Sequence, residues 1–154
     1  MITIPTIDRF MNDFIFHVAF PIENIADTKE FYIDGLGCTA GRETNSSIIL
    51  NLYGHQLVAH MTEQSLPVQT GIYPRHCGIV FTTLTDWQSL LHRAISKQLK
   101  FYQSAKHRFP GEITEHRTFF LVDPCANLLE FKYYTHPAAI FGAQEFTQIG
   151  DLTD

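Results

Sequence analysis

Cysteine is scarce in this chain. Cys38, Cys77 and Cys125 are the 3 cysteines among 154 residues, an odd number without CxxC spacing. That fits free thiols in a reducing compartment better than a disulfide framework. Long apolar runs are also lacking, so no segment reaches the roughly 20 residues that a membrane helix needs. No basic cluster stands out, and Lys+Arg 11 against Asp+Glu 16 gives a formal charge of -5. This argues against a nucleic-acid or anionic-membrane surface. Residues 1–10 lack a basic stretch followed by an apolar one, so no signal peptide is expected. These absences predict a cytoplasmic protein with neither nucleic acid nor membrane as a partner.

Apolar side chains are plentiful. The chain is 45% apolar and 13% aromatic, with 13 phenylalanines, enough to fill the core of one compact domain or of two small modules. Their periodicity predicts strand, helix and three strands, and then the same again. Residues 14–20 form a dense apolar run suited to a buried strand. Asn24 is placed to cap a helix reaching about Leu36, with Ile25, Thr28, Tyr32 and Leu36 on one face and Gly35 and Gly37 as stop signals. Strands are expected at 38–43, 47–52 and 56–61, the last two joined by a Tyr53-Gly54 turn. In the second half a strand is expected at 75–81. Thr85 and Gln88 have the spacing of a capping box, and Trp87, Leu90, Leu91, Ala94 and Ile95 recur at helical intervals. Strands at 101–104, 118–122 and 128–134 follow. The tail should run over the surface, pinned by Phe141.

The expected fold is α+β: tandem βαβββ modules whose paired mixed sheets enclose a metal-binding cleft. Module 1 covers about 14–61, a linker 62–74, module 2 about 75–134 and a tail 135–154, all within one domain. His17 and His76 are offset by 59 residues, and so are Asp27 and Asp86. Each half alone would expose an apolar sheet face, so the sheets should cover one another or a partner chain.

The repeat brings out the candidate site. Alternation puts Ile15, His17 and Ala19 on one face of the first strand, His76, Gly78 and Val80 on one face of the fifth, and Leu128, Glu130 and Lys132 on one face of the eighth. Each histidine has a small neighbour two residues on, which would leave room for a ligand. A lone strand histidine is usually a satisfied core residue. An ionised Glu130 within Leu128-Leu129-Glu130-Phe131, however, needs a cationic partner or a metal. Two imidazoles and one carboxylate together suit a divalent ion with open coordination positions, so His17, His76 and Glu130 are the expected metal ligands. Val58-Ala59-His60 lines up with Leu128-Leu129-Glu130, which makes His60 either a further ligand or an acid/base. Asp27 and Asp86 read as first-turn helix acids. His55, His92 and His136 read as solvated. His107 and His116 flank a Pro110-Gly111 loop, with His116 as a second acid/base candidate.

Four segments carry a resemblance: His17-Val18-Ala19-Phe20, residues 31–38, His76-Cys77-Gly78-Ile79-Val80-Phe81, and Asp123-Pro124 through Glu130-Phe131-Lys132. They resemble the vicinal oxygen chelate superfamily of glyoxalase I, extradiol dioxygenases, fosfomycin-resistance enzymes and bleomycin-binding proteins. Residues 51–60, 127–132, Arg108-Phe109, Gly111 and Glu115 look closest to small bacterial proteins described as predicted extradiol-type dioxygenases. At Cys125-Ala126-Asn127 the chain departs from the small residue, Gly and Asn usual there, and a positive φ would cost Ala126 about 1 kcal/mol. The resemblance implies a mononuclear metal enzyme acting on a small catecholic, vicinal-diol-like substrate. Fe(II) is the first choice of metal, with Mn(II), Zn(II) and Ni(II) as alternatives, and His60 and His116 would move protons. It also implies a homodimer, with the site inside one chain or shared across two. The alternatives are a glyoxalase-like isomerase or lyase with His60 as a ligand, and a metal-free drug-binding protein of the bleomycin-resistance type.

Overall fold

A computed structural model describes residues 14–64, 66–147 and 149. The reading of residues 1–10 and the end of the tail lie outside them. The chain divides into two compact units, Met1–Pro67 and Val68–Asp154. Each carries one four-stranded mixed sheet and helical cover.

The first unit runs β1 (His17–Ile22), α1 (Ile25–Lys29), a π-helical continuation (Glu30–Gly35), β2 (Thr39–Glu43), β3 (Ser47–Leu52) and β4 (His55–Met61). Its strand order is β1-β4-β3-β2, with β1 parallel to β4 and the other pairs antiparallel. Asn24 caps α1 as expected, its side chain accepting from the Asp27 amide at 2.9 Å. The wider π turn brings Phe31 into the core beside Thr28, Tyr32 and Leu36, against Ile22, Ile48, Leu50, Leu57 and Ala59. Tyr53 and Gly54 both have positive φ, 52° and 87°, the signature of a two-residue hairpin turn. The expected buried strand at 14–20 starts later than its apolar run suggests. Pairing with β4 begins at His17, and Phe14, Ile15 and Phe16 are 67%, 71% and 63% exposed.

The second unit runs β5 (Cys77–Phe81), α2 (Leu84–Ser96), β6 (Phe101–Arg108), β7 (His116–Val122), β8 (Leu128–Tyr134) and a 3-10 turn (Pro137–Ile140). Its order, β5-β8-β7-β6, repeats that of the first unit. Trp87, Leu90 and Ala94 of α2 are buried with Phe119, Leu121, Leu129 and Phe131, and the Trp87 indole donates to the Phe131 carbonyl at 2.9 Å. The capping box lies two residues before the expected pair. The Thr83 hydroxyl oxygen accepts from the Asp86 amide at 3.1 Å and its proton goes to Asp86 Oδ2 at 2.7 Å, so Asp86 is structural, as expected. Phe141 does not pin the tail, since it is 93% exposed.

The turn before β8 shows how sequence sets geometry. Asp123 Oδ1 accepts from the amides of Cys125 and Asn127, both at 2.8 Å. Ala126 takes φ 63°, the left-handed conformation that disfavours a side chain.

Candidate metal centre

In each unit, one sheet face packs on helix and the other carries the polar candidates. In the first unit the pairs His17–Gln56, Ala19–Val58 and Pro21–His60 share the polar face. In the second unit Gly78 pairs with Glu130 and Val80 with Lys132, while Phe120 opposes Glu130 and Thr118 opposes Lys132.

His76 precedes β5 on the same face as Gly78. Its Nδ1 lies 2.7 Å from the Ile72 carbonyl oxygen. A carbonyl can only accept, so Nδ1 carries the proton and Nε2 is left to meet something else. Nε2 lies 2.9 Å from Glu130 Oε2. The other carboxylate oxygen, Oε1, accepts from the Thr118 hydroxyl at 2.7 Å and has Lys132 Nζ 3.6 Å away. Phe120 meets the imidazole edge-on with ring centres 5.1 Å apart.

The electrostatics follow from these contacts. The hydrogen bond that His76 donates to Glu130 is the largest influence on His76 and raises its pKa above the ordinary 6.5, against the opposing effect of burial. For Glu130, burial pushes the carboxyl upward. The His76 hydrogen bond, the Lys132 charge and the Thr118 hydroxyl outweigh it and hold the pKa below 4.5. The pair is therefore ionised in mildly acidic solution.

His17 repeats part of this arrangement in the first unit. It is exposed on β1, and its Nδ1 lies 2.7 Å from Gln56 Oε1, another oxygen that only accepts. Both repeat histidines thus turn Nδ1 to an anchoring oxygen, the arrangement that orients Nε2 when imidazole binds a metal; His76 Nε2 here donates to Glu130. Among the described residues, no three His, Cys, Asp or Glu side chains group so as to hold a metal ion. His76 and Glu130 are brought together within the second unit; His17 belongs to the first.

His60 is exposed at the end of β4. The strand register corrects its expected equivalence to Glu130. Ala19 and Gly78 are equivalent by the 59-residue offset; Ala19 pairs with Val58 and Gly78 with Glu130. The residue matching Glu130 is therefore Val58, and His60 matches Lys132. Two residues along a strand is about 6.6 Å, so an apolar side chain fills the place where the repeat would put a second carboxylate. Counting from similar tripeptides failed because the turn before β8 is longer than Tyr53-Gly54.

Gly78 has a structural reason of its own. A Cβ there would collide with the Glu130 carbonyl oxygen and lie 2.6 Å from the carbonyl carbon and 2.9 Å from the amide nitrogen. Glycine lets β5 approach the backbone of β8 at the position that carries the carboxylate.

His116 is buried at the start of β7, four residues before Phe120 and so about 13 Å along the strand from the partner of Glu130. Its Nδ1 donates to the Thr114 carbonyl at 2.8 Å, and burial lowers its pKa. With Phe109, Tyr134 and residues of the tail, it borders a cavity of about 340 Å³. Glu115 braces the adjoining loop, binding His107 at 2.9 Å and the Gly111 amide at 2.8 Å. Sequence reading missed Thr118 as a partner of Glu130. Its place two ladder positions from Glu130, on the same face, was the available signal.

Two mixed βαβββ sheets, one of them holding an imidazole against a buried carboxylate, define the class of paired-module proteins. Residues 14–131 match the Glyoxalase/Bleomycin resistance protein/Dioxygenase superfamily, and the chain belongs to it. A glyoxalase/bleomycin resistance protein/dioxygenase from Alicyclobacillus acidocaldarius is 37% identical with a TM-score of 0.79, over 84% of this chain and 97% of its own. The fosfomycin resistance protein FosX from Listeria monocytogenes shares the fold at TM-score 0.61 and 13% identity, over 77% of this chain and 91% of its own. A virulence protein from Salmonella typhimurium does so at TM-score 0.56 and 22% identity, over 79% and 97%. No curated protein matches the chain. Members of the superfamily often bind a divalent metal ion and small molecules, and are often dimeric. No helix among the described residues is long and apolar enough to cross a membrane.

Proposed function

We propose that this protein is a mononuclear metal-dependent enzyme of extradiol dioxygenase type, acting on a small catecholic substrate. His17, His76 and Glu130 are its metal ligands and Fe(II) its first-choice ion. The observation that carries the reading is the 2.9 Å approach of His76 Nε2 to Glu130 Oε2, with each group anchored through its other polar atom. Ligands at right angles on bonds of about 2.1 Å stand about 3 Å apart, so the two donors fit an ion. His17, with Nδ1 already engaged, supplies the third donor, either from the same chain or from the partner in a symmetric dimer. Exposed Phe14, Ile15 and Phe16 lie beside it as candidate dimer contacts.

A bound divalent ion would act as a Lewis acid and gather a two-oxygen chelating substrate. The chain does the rest. Thr118 and Lys132 keep Glu130 ionised and fixed. Phe120 confines the imidazole of His76. His60 is the proton carrier on the first unit. His116, kept neutral by burial, is the second base, at the end of a cavity large enough for the organic part of a small ligand. The four-ligand, glyoxalase-like alternative is disfavoured by Val58 at the position equivalent to Glu130.

The test is elemental analysis of protein reconstituted with Fe(II), wild type beside His76→Ala, followed by oxygen uptake with a panel of catechols. The expected result is near-stoichiometric iron in wild type, its loss in the variant, and uptake with at least one catechol. Equal metal in both proteins would overturn the ligand assignment. Bound iron with no uptake across the panel would overturn the reaction.

A further inference from the structure

The segment between the last strand of the first unit and β5 reads in sequence as a linker, yet one of its side chains is fully committed. Gln69 Nε2 donates to the carbonyls of Gly71 at 3.0 Å and Arg75 at 2.9 Å. Gln69 Oε1 accepts from the Arg75 amide at 2.9 Å and takes a long contact of 3.5 Å from Arg75 Nε. A side-chain amide has two donor hydrogens and two acceptor lone pairs, and here all four are used on one short loop. The loop includes Gly71 at φ 80° and buried Ile72. Its Ile72 carbonyl receives the Nδ1 proton of His76, and the Tyr73 ring lies 6.1 Å from the imidazole.

We propose that Gln69 is a positioning residue for the metal centre. It clamps residues 69–75 into a loop that holds the Ile72 carbonyl against His76 Nδ1, and so fixes the imidazole ring with Nε2 turned toward Glu130. A side-chain ring turns about its single bonds, so an acceptor held in place is what keeps one orientation. Outer partners that orient a ligating histidine typically govern metal affinity by about 10–100-fold. The consequence for metal binding rests on His76 being a ligand; the consequence for the ring orientation does not.

The experiment compares wild type with Gln69→Met, which keeps the length of the side chain and removes its polar atoms. ¹H–¹⁵N NMR of the metal-free protein at mildly acidic pH should show a slowly exchanging His76 Nδ1 proton in wild type and a rapidly exchanging one in the variant. Fe(II) affinity should fall about tenfold, while amide-exchange protection across β7 and β8 stays unchanged. Equally slow exchange of the His76 Nδ1 proton in a folded Gln69→Met protein would overturn the proposal. If wild type binds no metal, the ligand reading falls and the NMR comparison still decides this one. Should the variant fail to fold, wild type alone suffices: slowed exchange of the Gln69 side-chain amide protons and of the Arg75 amide supports the clamp, and solvent-rate exchange refutes it.

Discussion

Replacing Gly78 by alanine separates two reasons for a glycine beside a ligand. If Gly78 only makes room for a bound molecule, Gly78→Ala should fold normally and lose ligand binding alone. The structure predicts a different loss. The new methyl would overlap the Glu130 carbonyl oxygen and stand 2.6 Å from its carbon, so β5 and β8 must part where Gly78 pairs with Glu130. Giving up about two ladder hydrogen bonds at roughly 1 kcal/mol each, with about 1 kcal/mol of residual strain, sums to about 3 kcal/mol. For a chain of this size that lowers Tm by about 6–12 °C. Gly54→Ala is the control: its φ is 87° and a Cβ there meets nothing within 4 Å, so only the conformational cost of about 1 kcal/mol remains. Thermal melts of the three metal-free proteins, followed by circular dichroism, read the difference. Equal losses at the two positions, or a Gly78→Ala protein as stable as wild type, would refute the steric argument.

Three further outcomes are expected. Ala126→Gly should gain about 0.5 kcal/mol and raise Tm by about 1–2 °C, because φ 63° strains alanine more than glycine; a lower Tm would contradict this. Thr118→Val removes the hydroxyl that donates to Glu130 Oε1 at 2.7 Å. It should cost about 1.5–3 kcal/mol and shift the Glu130 carboxyl titration upward by ¹³C NMR, and no movement would dismiss the contact. In metal-free protein, the His76–Glu130 pair should stabilise the fold most between about pH 4.5 and 6.5. The contribution of raised His76 is complete below its ordinary 6.5 and is lost as pH rises through its folded value. That of lowered Glu130 is complete above 4.5 and is lost as pH falls through its folded value. The gap in urea-melt stability between wild type and Glu130→Gln, measured in chelator, should peak in that window; a flat gap would remove the ion pair.

The repeat, the element order and the buried helix faces were legible because each rests on local periodicity. Trp87, Leu90 and Ala94 announce α2, and Asn24 announces α1. His76 and Glu130 were legible as a pair because an ionised carboxylate among leucines demands a partner. Boundaries were not. The apolar run at 14–16 reads as strand, yet strand formation waits for β4 to supply partners. The capping box at Thr83-Asp86 competes in sequence with the similar Thr85-Gln88 spacing, and the backbone selects the earlier one. His60 and Val58 exchanged roles because register depends on turn length, which tripeptide similarity does not encode. Thr118 and Gln69 escaped notice because their contacts are set by cross-strand pairing and loop closure, and residue type alone does not mark them.

The two oxygens of Glu130 have divided employment. With Oε1 engaged by Thr118 and neighboured by Lys132, a single oxygen is left to face a cation. Calcium is large, favours six to eight oxygen donors and commonly takes both oxygens of a carboxylate. One-point attachment beside imidazole nitrogen instead suits the smaller, nitrogen-preferring transition ions. If Glu130 is a ligand as proposed, the threonine would discriminate among ions without touching any of them.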